Sequence, residues 1–155
     1  MAGRHHLETD ASLNPSEHKL ADVVSLKRAG GGIVVRSPAM VPEGVYSVSL
    51  GFLSSASLAE ALVLLRGMRV ARQRHGATAI RTRTDAAHLV DIVNGRARAH
   101  DPALRAVVVN IHAETELFED FGIKWSRSSH ARERQAGVPT ADSLARKAAG
   151  LRQRS

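Results

Sequence analysis

The chain contains no cysteine, so disulfides, zinc ribbons, thiolate nucleophiles and iron–sulfur ligation are excluded. Aromatic residues are scarce, with one Trp, one Tyr and three Phe in 155 residues. That argues against a single-strand binder built on base stacking. Five Pro and twelve Gly are too few for a collagen-like or low-complexity chain. No apolar run approaches the roughly 20 residues of a membrane-spanning helix, and Met1-Ala2-Gly3-Arg4-His5-His6 lacks the hydrophobic region of a signal peptide. A cytoplasmic protein without a membrane association is expected. A hydrophobic fraction of 43% suits one domain over residues 1–155 with a real core. Acid is the last shortfall: 15 Asp plus Glu against 22 Lys plus Arg give a net charge of +7. The pI is near 11.0. Such an excess fits a polyanionic partner, because neutralised phosphates release counterions. Charge does not name a reaction.

What is present begins with a short strand over His6–Ser12, which Asn14-Pro15-Ser16 is expected to break. Residues 13–29 read as an extended connection. Gly30-Gly31-Gly32 introduces the β-branched run Ile33-Val34-Val35, which stops at Ser37-Pro38. After a turn at Pro42-Glu43-Gly44, Tyr46, Val48, Leu50 and Phe52 alternate with Ser47, Ser49 and Gly51, the period of a strand with one buried face. The second and third strands therefore form an antiparallel hairpin.

At Ser54 the period changes. Ser54-Ser55-Ala56-Ser57 offers N-caps, and Leu58, Ala61, Leu64 or Leu65, Met68 and Ala71 follow at helical spacing up to Gly76. A strand over Ala77–Thr84, a short helix with Leu89, Val90 and Val93, and a helix starting at Asp101-Pro102 come next. The helical spacing carries the last of these through Phe118 and Phe121 to Gly122. Ile123-Lys124-Trp125 makes a short strand, with Trp125 read as a core residue. A polar loop then leads to a final helix over Thr140–Gly150, and residues 151–155 form a tail. The order β-β-β-α-β-α-α-β-α implies a mixed five-stranded α/β sheet with helices on both faces.

Four acids sit at the joints of this order. Asp10 ends the first strand, Glu60 lies in the first turn of the long helix, Asp85 ends the fourth strand and Asp142 opens the last helix. Strand ends and helix starts can meet at one edge of a sheet. Gathered carboxylates repel, which raises their pKa values unless a cation joins them. Hard divalent ions such as Mg²⁺ take oxygen ligands, and two of them roughly 4 Å apart serve in-line phosphoryl displacement without a protein nucleophile.

These residues carry a resemblance to type 1 ribonuclease H. Thr9-Asp10-Ala11-Ser12 is similar to the family's Thr-Asp-Gly-Ser at the end of strand one. Ala59-Glu60-Ala61 with Leu64 and Leu65 resembles its Ala-Glu-x-x-Ala-Leu helix, and Thr84-Asp85-Ala86 with Leu89-Val90 resembles its Thr-Asp-Ser-x-x-Val turn. Ala141-Asp142-Ser143-Leu144-Ala145 matches its Ala-Asp-x-Leu-Ala. The resemblance spans residues 6–149. It implies that Asp10, Glu60, Asp85 and Asp142 hold two Mg²⁺ or Mn²⁺ ions, and that the RNA strand of an RNA–DNA hybrid is hydrolysed. It further implies that His130, twelve residues ahead of Asp142, assists proton transfer or product release. Nucleic-acid contacts fall on Ser12, Ser55 and Ser57.

The chain departs from the family at several points. Ala11 stands where Gly is usual, and Ser54-Ser55-Ala56-Ser57 replaces an Asn-rich approach to the catalytic Glu. Between the two middle helices only residues 94–101 remain, too few for a basic handle helix. Substrate grip then falls to Arg96, Arg98, Arg127, Arg132 and Arg134.

Simpler readings stand beside these. Asp85 and Asp142 can cap helices, Asp10 can form an Asx turn, and Glu60 can face a helix dipole. Gly30-Gly31-Gly32 reads as a strand-entry bend rather than a phosphate loop, since no Lys-Ser/Thr follows it. Arg66, Arg69, Arg72 and Arg74 read as a solvated helix face. A non-catalytic module of the same fold, or a same-fold nuclease for structured DNA, remains an alternative function.

Overall fold

The structure is a computed structural model that describes residues 3–21, 24–127 and 137–152. Its elements run β1 (His5–Ala21), β2 (Val24–Arg36), β3 (Pro42–Leu53), α1 (Ala56–His75), β4 (Ala79–Thr84), α2 (Ala87–Val93), α3 (Pro102–Thr115), β5 (Asp120–Trp125) and α4 (Ala141–Ala148). The sheet order is β3-β2-β1-β4-β5. β1 pairs antiparallel with β2, and β2 with β3, while β4 runs parallel to both β1 and β5. The expected mixed five-stranded sheet with helices on both faces is borne out. Among the described residues no helix is long and apolar enough to cross a membrane.

Residues 13–29 are not a connection. β1 continues through Asn14 and β2 begins at Val24, so the two strands form one long hairpin. Asn14-Pro15 does not end the strand because it is absorbed in a bulge. Asn14 pairs with Arg28 and His18 with Lys27, so residues 15–17 intervene on β1 and none on β2. The Asn14 side chain supports the bulge. Its Oδ1 accepts from the Ser16 amide at 3.0 Å, and its Nδ2 donates to the Ala149 carbonyl at 2.9 Å.

The alternation in β3 holds for Tyr46, Val48 and Leu50, which are half-buried between exposed serines. Phe52 breaks it and is exposed. The cause is a second bulge: Ala29 faces Gly51 and Gly30 faces Ser49, leaving Leu50 extra. Gly51 takes φ 79° there, a conformation glycine adopts without steric cost. Phe52 is thereby turned out, where Lys19 lies over its ring.

α3 ends at Thr115 rather than reaching Gly122. Leu117 and Phe118 donate back to Glu114 and Thr115, a tightening that closes the helix. β5 starts at Asp120 and pairs residue for residue with Ala79–Thr84. Phe118 is buried beside the core and Phe121 packs against it from the strand. Both were placed by helical spacing, but apolar periodicity does not separate a helix end from the strand that follows.

The main core lies between the sheet and α1, α2 and α3, around Leu7, Ile33, Leu64, Met68, Ile80 and Ile111. Glu114 of α3 is buried and receives Arg72 Nε at 2.6 Å and Arg69 Nε at 3.3 Å. Two of the helix arginines thus tie α1 to α3 instead of forming a merely solvated face. On the other side of the sheet α4 covers a small cluster of Val34, Ala141 and Leu144.

Gly30-Gly31-Gly32 lies inside β2 and is not an entry bend. A Cβ on Gly32 would overlap the Ala141 carbonyl, and one on Gly30 would overlap the backbone of Ala145 and Ala149 in and after α4. A Cβ on Gly31, pointing the other way, would press into Val63 of α1. The bare strand lets two helices approach from opposite faces. Gly32→Ala is therefore expected to destabilise the fold by about 2–3 kcal/mol. Gly122→Ala in β5, whose new methyl meets nothing within 4 Å, should change stability by less than about 0.5 kcal/mol. Heat unfolding of the two variants side by side checks the contrast.

Candidate metal centre

Asp10, Glu60 and Asp85 converge. One carboxylate oxygen from each lies within 4.8 Å of the other two. The register explains the first pair, since β1 and β4 run parallel with Glu8 opposite Arg83. Two residues further along both chains stand Asp10 and Asp85. β4 stops at Thr84 while β1 runs on, and the three acids meet at that break in the sheet. Glu60 arrives from the second turn of α1, not the first, because Ser55 is the N-cap and the helix starts at Ala56.

Asp142 stands in the first turn of α4. It is not within the 4.8 Å set, but its charge raises the Asp10 pKa. The strand pleat accounts for this. Asp10 pairs with Gly32, which faces Ala141, so Asp10 lies on the face that α4 covers.

The capping readings fail for these acids. The α1 cap is Ser55, whose Oγ accepts from the Leu58 amide at 3.1 Å. α2 has Ala86 at its N-cap and no side-chain cap bond. In α4 the Thr140 hydroxyl accepts from Ser143 at 3.1 Å. Nor does Asp10 make an Asx turn, because it accepts from the next amide, Ala11, at 2.9 Å.

Electrostatics set this cluster apart from ordinary surface acids. Burial, followed by the charges of Asp85 and Asp142, pushes Asp10 from 3.8 up to about 8. Burial and the charges of Asp10 and Asp85 push Glu60 from 4.5 up to about 9. The Ala11 amide opposes both shifts. Glu60 Oε2 is enclosed and has no hydrogen-bond partner. A buried acceptor without a donor is costly, and a divalent cation would satisfy it. The donor set is all carboxylate oxygen, the chemistry that Mg²⁺ and Mn²⁺ take. Asp10, Glu60, Asp85 and the adjacent Asp142 therefore fit a hard divalent ion.

The other expected contacts divide into three groups. Ser57 lines a cleft of about 350 Å³ with Glu60, Asp85 and His88. Ser12 sits half-buried on β1 two residues past Asp10, on the same face, and Ser55 serves as the α1 cap. Arg98 and Arg127 are exposed, and Arg96 pairs with Asp91 at 3.1 Å. His130, Arg132 and Arg134 lie outside the described residues. Trp125 was expected in the core and is instead half-exposed, with its Nε1–H donating to the Asp85 carbonyl at 3.1 Å. An edge strand beside a seven-residue helix leaves it uncovered. Sequence reasoning missed His88, whose position on the cleft carries no signal in spacing.

A carboxyl with a raised pKa binds its proton more tightly folded than unfolded. Its contribution to stability is present below about pH 4 and is lost as pH climbs toward 8 or 9. In metal-free buffer at pH 8, Asp10→Asn is expected to melt roughly 5 °C above the unsubstituted chain. That gap should close near pH 4. Added Mg²⁺ should raise the melting temperature of the unsubstituted chain and leave Asp10→Asn nearly unmoved. Calorimetry across this pH range, with and without Mg²⁺, checks both signs.

Comparison with known proteins agrees with this fold. The Reverse transcriptase-like family matches residues 21–148, a stretch that holds Glu60, Asp85 and Asp142 but not Asp10. No curated protein matches the chain by sequence. Among solved structures it is similar to ribonuclease H1 from the halophilic archaeon Halobacterium salinarum NRC-1, at 22% identity and a TM-score of 0.77. That match covers 94% of this chain and 97% of the other. The N-terminal ribonuclease H domain of rv2228c from Mycobacterium tuberculosis matches at 21% identity and TM-score 0.78, covering 96% and 95%. LC11 ribonuclease H1, isolated from compost by a metagenomic approach, was solved in complex with an RNA/DNA hybrid. It matches at 16% identity and TM-score 0.74, covering 95% and 97%. With the family matched over most of its length and the fold matched end to end, the chain belongs to the Reverse transcriptase-like family, and its fold is that of the type 1 ribonuclease H its four motifs resemble.

Proposed function

We propose that this protein is a divalent-metal-dependent endonuclease that hydrolyses the RNA strand of RNA–DNA hybrids. The observation that carries the reading is the burial of Asp10 and Glu60 against Asp85, which raises both carboxyl groups far above their ordinary range. A fold gains nothing in stability from such crowding, so a cation that relieves it is the simplest reason for its presence. The likeness to a ribonuclease H1 solved with an RNA/DNA hybrid supports the substrate class, as does the net charge of +7.

In this reading Asp10, Glu60, Asp85 and Asp142 hold two Mg²⁺ or Mn²⁺ ions. When bound, such ions activate water and stabilise the leaving oxygen of an in-line phosphodiester displacement. The chain supplies the rest. Asp10 and Glu60 give up their protons as the site loads, and the Ala11 amide fixes the Asp10 carboxylate through Oδ1. Asp142 adds the fourth carboxylate from α4. Ser57 faces the cleft beside Glu60 and Asp85, where its hydroxyl can meet a ribose 2′-hydroxyl, the group that separates RNA from DNA. Cleavage leaves 5′-phosphate and 3′-hydroxyl ends. His130 serves proton transfer or product release, and Arg98 and Arg127 meet phosphates.

A panel of RNA–DNA hybrid, double-stranded RNA, double-stranded DNA and a four-way DNA junction, each with Mg²⁺, tests the substrate. The RNA strand of the hybrid should be cut and the other substrates left intact. Asp10→Asn and Asp85→Asn should each lower the rate by at least about 100-fold with folding preserved. An uncut hybrid, or full activity in either variant, overturns the assignment.

A further inference from the structure

Trp125 is the single tryptophan of the chain, and 51% of it is exposed. It is nonetheless held in place. Its Nε1–H donates to the Asp85 carbonyl at 3.1 Å, and its backbone stands opposite Thr84 in the β4–β5 ladder. The ring is therefore fixed against the backbone of Asp85, a residue of the candidate metal centre, on the open edge of the sheet. It walls a groove of about 480 Å³ between α2 and β5, where Asn94, Arg96, Ile123 and Lys124 also line the surface.

This groove adjoins the cleft of the metal centre. Ala87 lines both the groove and the cleft that holds Ser57, Glu60 and Asp85. The two hollows flank the first residue of α2, so a bound strand can pass from one to the other. Along this path come an acid cluster, a flat apolar ring and then cations. Lys124 is exposed. Arg96 is paired with Asp91, but both side chains are largely in solvent, at 64% and 48%. Exposed pairs of this kind are weak, so the guanidinium can leave Asp91 for a phosphate at little cost. A nucleic-acid strand presents the same alternation, with a flat base or sugar followed by a phosphate.

We infer that the groove formed by Trp125, Lys124 and Arg96 holds a nucleic-acid strand as it leaves the metal centre, with the indole against a base or sugar and the two cations on phosphates. The inference rests on the ribonuclease reading for its ligand. It assigns substrate grip to a pinned aromatic on β5 and needs no separate basic helix.

Because Trp125 is the only tryptophan, its fluorescence reports on this groove directly. RNA–DNA hybrid is titrated into Asp10→Asn protein with Mg²⁺, so that nothing is cut, and acrylamide quenching is measured. Bound hybrid should lower the quenching constant at least about twofold, as expected for a ring covered by stacking. In the otherwise unsubstituted chain, Trp125→Ala should raise KM for the hybrid about 10-fold and leave kcat and the melting temperature nearly unchanged. Trp125→Phe should restore most of the loss. Lys124→Ala should weaken binding and flatten its salt dependence.

Quenching that is unchanged when labelled hybrid is shown by anisotropy to be bound overturns the inference, as does a Trp125→Ala enzyme with normal KM. Normal cleavage with an unshielded Trp125 sinks the groove and leaves the ribonuclease reading standing. A shielded Trp125 in a chain that never cuts hybrid does the reverse. A hybrid that does not bind at all sinks both.

Discussion

Like charges held together against their repulsion are the constraint around which this molecule is organised. Asp10, Glu60 and Asp85 come from β1, α1 and the end of β4, three elements distant in sequence. In water these groups would separate or stay ionised. Here they are kept within 4.8 Å because each is bound to a rigid element that has other reasons for its place. β1 is the central strand, α1 is packed along its full length, and β4 is clamped between β1 and β5. The apolar core on that side of the sheet offsets the electrostatic cost. The function proposed for the site follows from the same tension, since a hard cation is the ligand that relieves it.

The opposite face of the sheet is built on a different principle. α4 has few large apolar side chains to bury, and its cluster consists of Val34, Ala141 and Leu144. It is seated instead by close backbone approach over Gly30 and Gly32 and by specific hydrogen bonds. The Ser47 hydroxyl donates to the Leu144 carbonyl at 2.6 Å, and Asn14 donates to the Ala149 carbonyl. The element that carries Asp142 is thus positioned by contacts that tolerate no added side chain. Three acids are set by the main core and the fourth by this thinner, more exacting docking.

Much of this was legible in the chain itself. The order of nine elements followed from changes of period and from punctuation by Gly, Pro and Ser. The four acids stood out because each sat at a joint between elements. What escaped the sequence had identifiable physical causes. Asn14-Pro15 resembles a strand breaker, yet an asparagine that bonds both its own turn and a distant helix turns the break into a bulge. Three consecutive glycines suggest a bend, and only the presence of helices on both sides shows why a strand needs them. Phe118 and Phe121 fit a helical stripe because the strand after α3 packs against the same core. An isolated aromatic makes no stacking groove of its own, which points Trp125 to the interior. Its true position depended on α2 being too short to cover the edge of β5. None of these facts is local.

The bulge at Asn14–His18 has a geometric consequence for the far part of the hairpin. Side chains alternate along a strand, so an odd number of inserted residues reverses the faces that follow. Residues 15–17 do this to β1, while β2 keeps its phase from Leu26 to Gly32. Lys19 consequently shares a side with Phe52 and reaches its ring, although it has the opposite parity to Asp10 and Ser12. The three residues act as a phase joint. The outer arm takes its faces from its pairing with β2 and not from its parity with Asp10, so the arm's surface can diverge independently of the chemistry at its base.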